Sequence, residues 1–419
     1  MRMETSNWTG EWGWTEGSGP TRWAAWRIAA LSGVLAAVLA GCGGSGATRS
    51  EGAAPVVRGP SVESEPPAAP RPQAPPRTPE EHRARVLELA ERLLPPDLRD
   101  RSGWARDIAT SMTALSIPAL PRKVCAVAAV IEQESGWRAD PVVPNLGKIA
   151  RTEMERRLGQ YMIPGAVLDL ALRKTSSNGQ TYAERIADLR TERELSELFE
   201  EMIAEVPRGQ SLFGDMNPVR TGGPMQVSIA FAEQTMRERP YPWRNPGSAR
   251  EEVFSRRGGV YFGTAMLLDY PVSYDRMLYR FADFNAGRYA SRNAAFQRLV
   301  ARLTGIDLAP DGDLLRYADG KPAGTSQTER AVRAIEDLGM DEATIRRDLL
   351  QEKSFAFERT RLYRRVRELA ERRGLPTPAA SVPDIALESP KITRKLTTRW
   401  FAERVEGRYR RCLARNHEG

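Results

Sequence analysis

Apolar residues from Thr78 onward recur at helical spacing, and no sustained alternation of apolar and polar residues marks a β-strand. The segment Thr78-Pro79-Glu80-Glu81 has the features of a helix start, because the hydroxyl can cap free N–H groups and the acids face the positive helix end. The pattern predicts an all-α body. Further helices are expected at 121–137, 162–173, 182–203, 229–237, 259–268, 276–283, 291–303, 355–369 and 389–414.

The segment 1–42 is expected to direct export. An apolar run from Ile28 ends in Leu39-Ala40-Gly41-Cys42, which is short for a bilayer span but suits a signal peptide. This ending resembles the bacterial lipobox, in which the cysteine is lipidated and becomes the first residue of the mature protein. We expect a lipid on Cys42 that anchors the chain in the outer membrane, facing the periplasm, because Gly43 is not the Asp that often signals inner-membrane retention. An ordinary signal peptide and an uncleaved anchor are the alternatives.

The segment 43–79 is rich in proline, glycine, alanine and serine. Such a composition buries too little apolar surface to offset the entropy lost on ordering, so we expect an extended tether. A lipid followed by a tether would hold the helical body near a membrane, outside the cytoplasm.

Histidine and cysteine are scarce, which limits the chemistry. The two histidines, His82 and His417, nearly exclude a Ser-His-Asp triad, a Cys-His pair and a His-rich zinc site, and three cysteines are too few for a Cys-only zinc site. No GxxxxGK[ST] or GxGxxG motif offers a phosphate-binding loop. We therefore expect no cofactor and no metal, which leaves carboxylate chemistry or no chemistry.

The formal net charge of the chain is +8 at pH 7. In an exported protein this charge favours anionic cell wall or lipid as the partner, rather than nucleic acid. A GC-rich genome that spells lysine as arginine explains the basic residues equally well. The composition leaves the oligomeric state open.

The helix predicted from Pro121 carries Glu134 in its last turn. At 100° per residue, the Glu134 side chain shares a face with Val127, Val130 and Trp137. A carboxylate on an apolar face is poorly hydrated, which raises its pKa toward the range of a general acid. The alternative is a solvated glutamate at a frayed helix end.

Three later stretches carry weaker signals. The glycine-rich turn at 222–227 brings backbone and the Gln226 amide close to a potential ligand. The helix around Tyr261 is also explained as a core helix. The helix before Asn285-Ala286-Gly287 ends on a turn where asparagine is common for conformational reasons alone.

Taken in order, the four stretches resemble the lytic transglycosylase branch of the lysozyme superfamily. That family has a Glu-Ser pair at the end of its catalytic helix, a Gly-Leu-Met-Gln turn, a helix with a Gly…Tyr-Leu pattern and a Tyr-Asn-Ala-Gly turn. The matching residues here are Glu134-Ser135, Gly223-Pro224-Met225-Gln226, Gly259…Tyr261-Phe262 and Phe284-Asn285-Ala286-Gly287. The whole layout also looks like an uncharacterised family of proteobacterial lipoproteins.

The resemblance implies an all-α, lysozyme/transglycosylase-like domain at 80–305, with a long helical insertion near 148–215. A C-terminal helical extension at 306–419 would pack on this core. The insertion would line, cover or block the substrate groove. Phe284 replaces the family's tyrosine, which removes a hydroxyl that commonly lies near the catalytic glutamate.

The resemblance further implies peptidoglycan as substrate and Glu134 as the one catalytic residue. Glu134 would protonate the oxygen between N-acetylmuramic acid and N-acetylglucosamine, unlike glycosidases that use two carboxylates. As a base it would then take a proton from the muramoyl C6 hydroxyl, which closes an anhydro ring. Substrate contacts are implied for Ser135, the Met225 backbone, Gln226, Tyr261, Asn285, Gly287 and Tyr289.

Several of these assignments have alternatives. Tyr261, Tyr289 and Trp137 offer aromatic faces to sugar but fit a protein core at least as well. Glu132, Asp215 and Asp283 are candidates for a second carboxylate. For the whole chain, the alternative is a catalytically inactive outer-membrane lipoprotein that binds cell wall or acts as a scaffold.

The lipidation of Cys42 would leave Cys125 and Cys412, and two such thiols can pair in an oxidising compartment. Cys125 is half a helical turn from Glu134 in orientation. A bridge would therefore tie the catalytic helix to the C-terminal helix from behind the groove. Two buried free thiols are the alternative.

Overall fold

The computed structural model describes residues 78–416 except 161, 163, 209, 212, 213, 215, 216, 319 and 388–395. The predicted signal peptide, Cys42, nearly all of the predicted tether, Asp215 and His417 lie outside the described residues. The described part is mostly helical with a few short strands, which agrees with the predicted all-α class. Within it, no helix combines the length and apolar character needed to cross a membrane.

Three helices open the described chain: α1 (Pro79–Leu93), α2 (Arg101–Ala114) and α3 (Pro121–Glu134). The α1 helix begins where the sequence predicts, because Thr78 and Glu81 form a capping box. Proline also occupies the first turn of α3, where its missing N–H costs nothing. Every residue from Val124 to Ile131 is buried, so α3 is a central helix of the fold.

The predicted insertion forms four helices: α4 (Leu146–Gln160), α5 (Gly165–Leu172), α6 (Tyr182–Ala187) and α7 (Glu192–Ala204). The prediction of one helix over 182–203 is wrong. Thr181 and Thr191 each form a capping box, so two separate helices begin there. The helix predicted at 162–173 begins only at Gly165, after Pro164.

A hairpin and five helices follow: β1 (Thr221–Gly222), β2 (Val227–Ser228), α8 (Ile229–Glu238), α9 (Ala249–Phe254), α10 (Arg256–Leu268), α11 (Met277–Ala286) and α12 (Ala290–Thr304). The two strands pair antiparallel, with Gly222 opposite Val227. The α10 helix begins before the predicted 259, because the Ser255 hydroxyl accepts a hydrogen bond from Gly258 N at 3.0 Å.

The remaining elements are β3 (Tyr317–Ala318), β4 (Lys321–Pro322), α13 (Gln327–Arg333), α14 (Glu342–Leu349), α15 (Arg361–Arg372), β5 (Ala386–Leu387), β6 (Leu396–Thr397) and α16 (Thr398–Ala414). The apolar stripe predicted at 355–369 is divided between a 3-10 turn, Phe355–Arg359, and α15. The predicted start of the last helix at 389 is wrong, because β6 precedes α16 and the Thr397 hydroxyl caps it. Its predicted end at Ala414 is confirmed.

Three clusters of buried apolar side chains organise these elements. The central core joins α1, α2, α3, α10, α11 and α16 with the β1–β2 hairpin, α8 and α9. The insertion core joins α4, α5, α6 and α7. The C-terminal core joins α12, α13, α14 and α15. Because α16 packs along both α3 and α11, this last helix belongs to the central core.

Candidate active site

Glu134 is the last residue of α3 and is 4% exposed. The Ser135 hydroxyl donates to the backbone carbonyl one turn earlier at 3.0 Å and accepts from Arg138 N at 3.3 Å. Gly136 and Trp137 follow with φ values of 57° and 65°, so the chain turns sharply after the helix. The predicted Glu-Ser pair thus marks a fixed end of a buried helix, and the frayed, solvated alternative is wrong.

Burial raises the pKa of the Glu134 carboxyl well above its ordinary value. Arg408 lowers this pKa, and Glu192 raises it further, each through its charge. Among the described residues, none forms a hydrogen bond with the Glu134 carboxyl. A carboxyl in this state keeps its proton at pH values where an exposed glutamate has lost it, as a general acid requires.

Gln226 occupies the turn between β1 and β2 at a φ of 50°. Its Nε2 donates to Gly223 O at 3.2 Å, whereas its Oε1 is buried with no hydrogen-bond partner within the described part of the chain. This unpaired oxygen can accept a hydrogen bond from an N–H or O–H group of a ligand. The Met225 side chain is fully buried against α10, where a Cβ at Gly263 would lie 2.3 Å from its sulfur.

Two of the predicted aromatic contacts lie in the protein interior. Tyr261 is 1% exposed and packs edge-on against Tyr241 at 5.4 Å and against Trp243 at 6.1 Å between ring centroids. Tyr289 is also buried, at a φ of 70°, with the Arg292 guanidinium 4.5 Å above its ring. For both tyrosines the structure favours the core alternative over a sugar-stacking face.

Trp137 differs from these tyrosines because it is only partly buried. Its ring meets Trp104 edge-on at 5.4 Å, and its buried Nε1 has no hydrogen-bond partner among the residues described. It lies in the loop directly after Glu134. This indole therefore retains a free donor close in sequence to the carboxyl.

Asn285 lies near the end of α11 and is half-buried. Its Oδ1 accepts a hydrogen bond from Thr398 Oγ1, the first residue of α16, at 3.1 Å. Gly287 follows with a φ of 104°, a conformation that favours glycine and ends the helix. The predicted Asn-Ala-Gly turn is present, and its amide already contacts the C-terminal helix.

The two described candidates for a second carboxylate, Asp283 and Glu132, have structural partners. Asp283 is fully buried, and its oxygens accept hydrogen bonds from Ser291 N at 2.7 Å and from the Tyr270 hydroxyl at 3.0 Å. Burial raises the pKa of Asp283, and these hydrogen bonds oppose that change. Glu132 pairs with Arg411 at 3.1 Å and with Arg408 at 3.5 Å, both on α16. Both residues therefore hold elements together.

Glu192 is an acidic neighbour of Glu134 that sequence reasoning missed. It opens α7, which the insertion places against the loop after α3: Val143 N donates to Arg190 O at 2.8 Å, and Arg193 pairs with Asp140 at 3.1 Å. Thr191 opposes Val142 in an isolated bridge at the same contact. The only local sequence signal near Glu192 is the capping box of α7. It predicts where that helix begins but not that the helix start lies near Glu134.

Arg408 is the second residue that the sequence did not reveal. The α16 helix is joined to α3 by a disulfide between Cys125 and Cys412, the predicted pair, with a Cα–Cα distance of 5.5 Å. Arg408 lies one helical turn before Cys412 and pairs with Glu132 at 3.5 Å. Its position four residues before a cysteine is the one signal that links it to α3.

The elements that carry Glu134, Gln226 and Asn285 meet in the central core. The β2 strand and α3 both pack on α10, and α3 and α11 both pack on α16. Within the described residues, no hydrogen bond directly links these three side chains. The structure thus packs the two helices and the turn that carry these residues into one core, while the Gln226 and Asn285 side chains form hydrogen bonds with other residues.

Two cavities, of about 440 and 450 Å³, lie in the C-terminal part of the chain, and neither is lined by Glu134. The cavity of about 440 Å³ is lined by residues that include Gln297, Asp311 and Tyr317. In the described ranges, no group of histidine, cysteine and acidic residues has the arrangement of a metal site.

Comparison with known proteins gives two matches. A family model described as "Protein of unknown function (DUF1615)" matches residues 97–415. The uncharacterized protein YaiW of Escherichia coli (strain K12) is 50% identical over 329 residues, which are 78% of this chain and 89% of that protein. No solved structure matches. The matches confirm the resemblance to an uncharacterised proteobacterial family, and neither names a lytic transglycosylase.

Proposed function

The chain belongs to the DUF1615 family, and we propose that its Glu134 site binds peptidoglycan and cleaves the glycan strand in the manner of a lytic transglycosylase. One observation carries the proposal. Glu134 ends a central helix as a buried carboxyl whose pKa is raised by burial, without a hydrogen bond from any described residue. A carboxyl that serves only structure is normally paired or hydrogen-bonded when buried.

The reaction assigns both proton transfers to this carboxyl. Protonated Glu134 gives its proton to the oxygen between N-acetylmuramic acid and N-acetylglucosamine, and the glycosidic bond breaks. The Glu134 carboxylate then accepts the proton of the muramoyl C6 hydroxyl, whose oxygen bonds to C1 and closes the anhydro ring. Glu134 ends the cycle protonated. The unpaired Oε1 of Gln226 would accept a hydrogen bond from the sugar or its acetamido group.

The lysozyme-like assignment of the fold is part of this proposal. It is supported by the order of the elements: a buried helix ending in Glu-Ser, a tight hairpin bearing Gln226, the α10 helix and an Asn-Ala-Gly helix end. The insertion core would then be an addition beside the groove, since α7 docks at the loop that follows Glu134.

A lipid on Cys42 would anchor the enzyme in the outer membrane, facing the periplasm. The proposal is supported by the ending Leu39-Ala40-Gly41-Cys42 of the apolar run. Replacing Cys42 by serine should give an unprocessed or soluble chain on fractionation. Fractionation identical to that of the unaltered chain would contradict the anchor.

The test of activity is the digestion of purified murein, with analysis of the products for anhydromuropeptides. Glu134→Gln keeps the shape of the side chain but removes the transferable proton, so turnover should fall at least about 100-fold. Glu88→Gln is the control, because that carboxylate lies on α1 and its side chain is 73% exposed. Equal product release by the Glu134→Gln variant would contradict the catalytic role.

The alternative is a wall-binding lipoprotein without turnover, and specific observations favour it. Glu134 is nearly inaccessible, the Asn285 amide oxygen is taken by Thr398, and both tyrosines predicted to stack on sugar are buried. Co-sedimentation of the protein with murein, without any anhydromuropeptide release, would support this alternative. Release of anhydromuropeptides that depends on Glu134 would exclude it.

A further inference from the structure

The cavity of about 450 Å³ contains no residue of the Glu134 site and is lined mainly by charged side chains. Its walls come from the first two turns of α15 and from the loop that joins α13 to α14. We call it the arginine cavity, and its lining residues are Leu338, Gly339, Arg361, Arg364, Arg365 and Glu368. Three guanidinium groups against one carboxylate leave this lining with an excess of two positive charges.

Two of the three arginines are oriented by backbone carbonyl groups of the loop. Arg361 Nη2 donates to Gly339 O at 3.1 Å, and Arg365 Nη2 donates to Asp337 O at 3.2 Å. A neutral carbonyl orients a guanidinium without neutralising its charge. Because a guanidinium has five N–H donors, Arg361 keeps donors for a ligand.

The positive charges of the arginine cavity are poorly compensated. The Arg364 side chain forms no hydrogen bond or ion pair with any described residue. Glu368 lies 3.7 Å from Arg365, but the two side chains are 56% and 35% exposed, so their attraction is weak. Arg361 is three positions from Arg364 and four from Arg365, spacings at which like charges on a helix repel. An anion held between these guanidinium groups would relieve the repulsion.

We propose that the arginine cavity binds a phosphate group, carried by a phosphomonoester lipid headgroup or present as free phosphate. The planar guanidinium pairs with two phosphate oxygens at once. A phosphomonoester carries up to two negative charges near pH 7, which matches the excess charge of the lining. The volume of about 450 Å³ also accommodates the glycerol or sugar to which such a phosphate is attached. The site would give the protein a second ligand, independent of glycan cleavage at Glu134.

The test is isothermal titration calorimetry on the full-length protein with three probes. These are inorganic phosphate, dihexanoylphosphatidic acid and dihexanoylphosphatidylcholine, with both lipids kept below the concentration at which they form micelles. We expect saturable binding of inorganic phosphate and of phosphatidic acid, and much weaker binding of the zwitterionic phosphatidylcholine. Tighter binding of phosphatidic acid than of inorganic phosphate identifies a lipid headgroup as the ligand, and equal or weaker binding identifies free phosphate.

Arg364→Gln should weaken the binding of both phosphate probes at least about tenfold, because a charge-assisted hydrogen bond is lost. Arg372→Gln is the matched control, since Arg372 is exposed on the same helix but does not line the cavity. It removes the same charge and should bind both probes like the unaltered protein.

A variant of opposite sign completes the test. Glu368→Gln removes the one carboxylate that the described residues contribute to the lining, so it should bind phosphate more tightly. Circular dichroism shows whether each variant is folded. The inference is overturned if neither phosphate probe binds saturably, if Arg364→Gln binds like the unaltered protein, or if Arg372→Gln loses as much affinity. Equal binding of phosphatidylcholine and phosphatidic acid would also overturn it.

Discussion

Thr398 Oγ1 donates a hydrogen bond to Asn285 Oδ1 at 3.1 Å, which joins the start of the C-terminal helix to the end of α11. Thr398 is fully buried, and Asn285 is the asparagine of the predicted Asn-Ala-Gly turn. The contact fixes the orientation of the amide. It also means that a sugar can use only the remaining hydrogen-bonding groups of this side chain.

Replacing Thr398 by valine should lower the free energy of unfolding by about 1–2 kcal/mol, because the Asn285 oxygen loses its donor. Urea denaturation measures the change. Thr398→Ser retains the hydroxyl and should lie closer to the unaltered protein than Thr398→Val does. Equal stability of the valine and unaltered chains would show that the hydrogen bond contributes nothing.

Loss of the disulfide should destabilise the chain. The Cys125–Cys412 bridge spans 287 residues, and its removal should lower the free energy of unfolding by about 2–5 kcal/mol. The measurement is denaturation of the double variant Cys125→Ser/Cys412→Ser against the oxidised protein. Reductant should destabilise the unaltered protein and leave the double variant unaffected. Insensitivity of the unaltered protein to reductant under unfolding conditions would contradict the bridge.

The turn that presents Gln226 depends on glycine at 223. Gly223 has a φ of 73°, and a Cβ there would lie 1.9 Å from Val253 O. Gly223→Ala should therefore cost about 3 kcal/mol or more, from backbone strain and overlap together. Gly179→Ala is the control. Gly179 has a φ of 86°, but a Cβ added there would meet no other group within 4 Å, so backbone strain alone should cost about 1 kcal/mol. Thermal denaturation measures the loss of stability in each variant. Similar losses in Gly223→Ala and Gly179→Ala would contradict a steric overlap between the added Cβ and Val253 O.

Local signals explain which elements could be predicted from the sequence. Thr78 and Pro121 mark helix starts through capping and fixed φ, which act within one turn. The sequence does not predict the break between α6 and α7, because the apolar periodicity continues across Thr191. In the structure Thr191 caps α7 and so begins a new helix there. The start of α16 was placed too early because a Ser-Pro pair resembles a helix start as closely as Thr397 does.

The candidate site was predictable only where one segment carries its own geometry. The Glu134 helix end and the glycine turn before Gln226 are of this kind. Glu192 and Arg408 act on the pKa of Glu134 through their charges, and both lie on segments distant in sequence, a relationship that no local pattern encodes. Tyr261 was open to two interpretations because a helix face that packs on a core and one that faces a ligand have the same apolar spacing.

Glu352 is a fully buried carboxyl in the C-terminal part of the chain. Its oxygens accept hydrogen bonds from Leu314 N and from the Tyr317 hydroxyl, and burial raises its pKa from 4.5 to about 7. The folded chain therefore binds this proton more tightly than the unfolded chain. The tighter proton binding therefore adds to the free energy of unfolding in full below pH 4.5. This added stability, about 3 kcal/mol, is lost as pH rises to about 7.

Glu352→Gln cannot ionise, so its free energy of unfolding relative to the unaltered chain should improve by about 3 kcal/mol between pH 4.5 and 7.5. Urea denaturation across this range gives the difference at each pH. Glu252→Gln is the matched control, because Glu252 is also buried but hydrogen bonds from Arg257 and Tyr241 outweigh burial and lower its pKa to about 2. The difference in free energy of unfolding between Glu252→Gln and the unaltered chain should stay constant above pH 5. A constant difference for Glu352→Gln as well would contradict a carboxyl that titrates near pH 7.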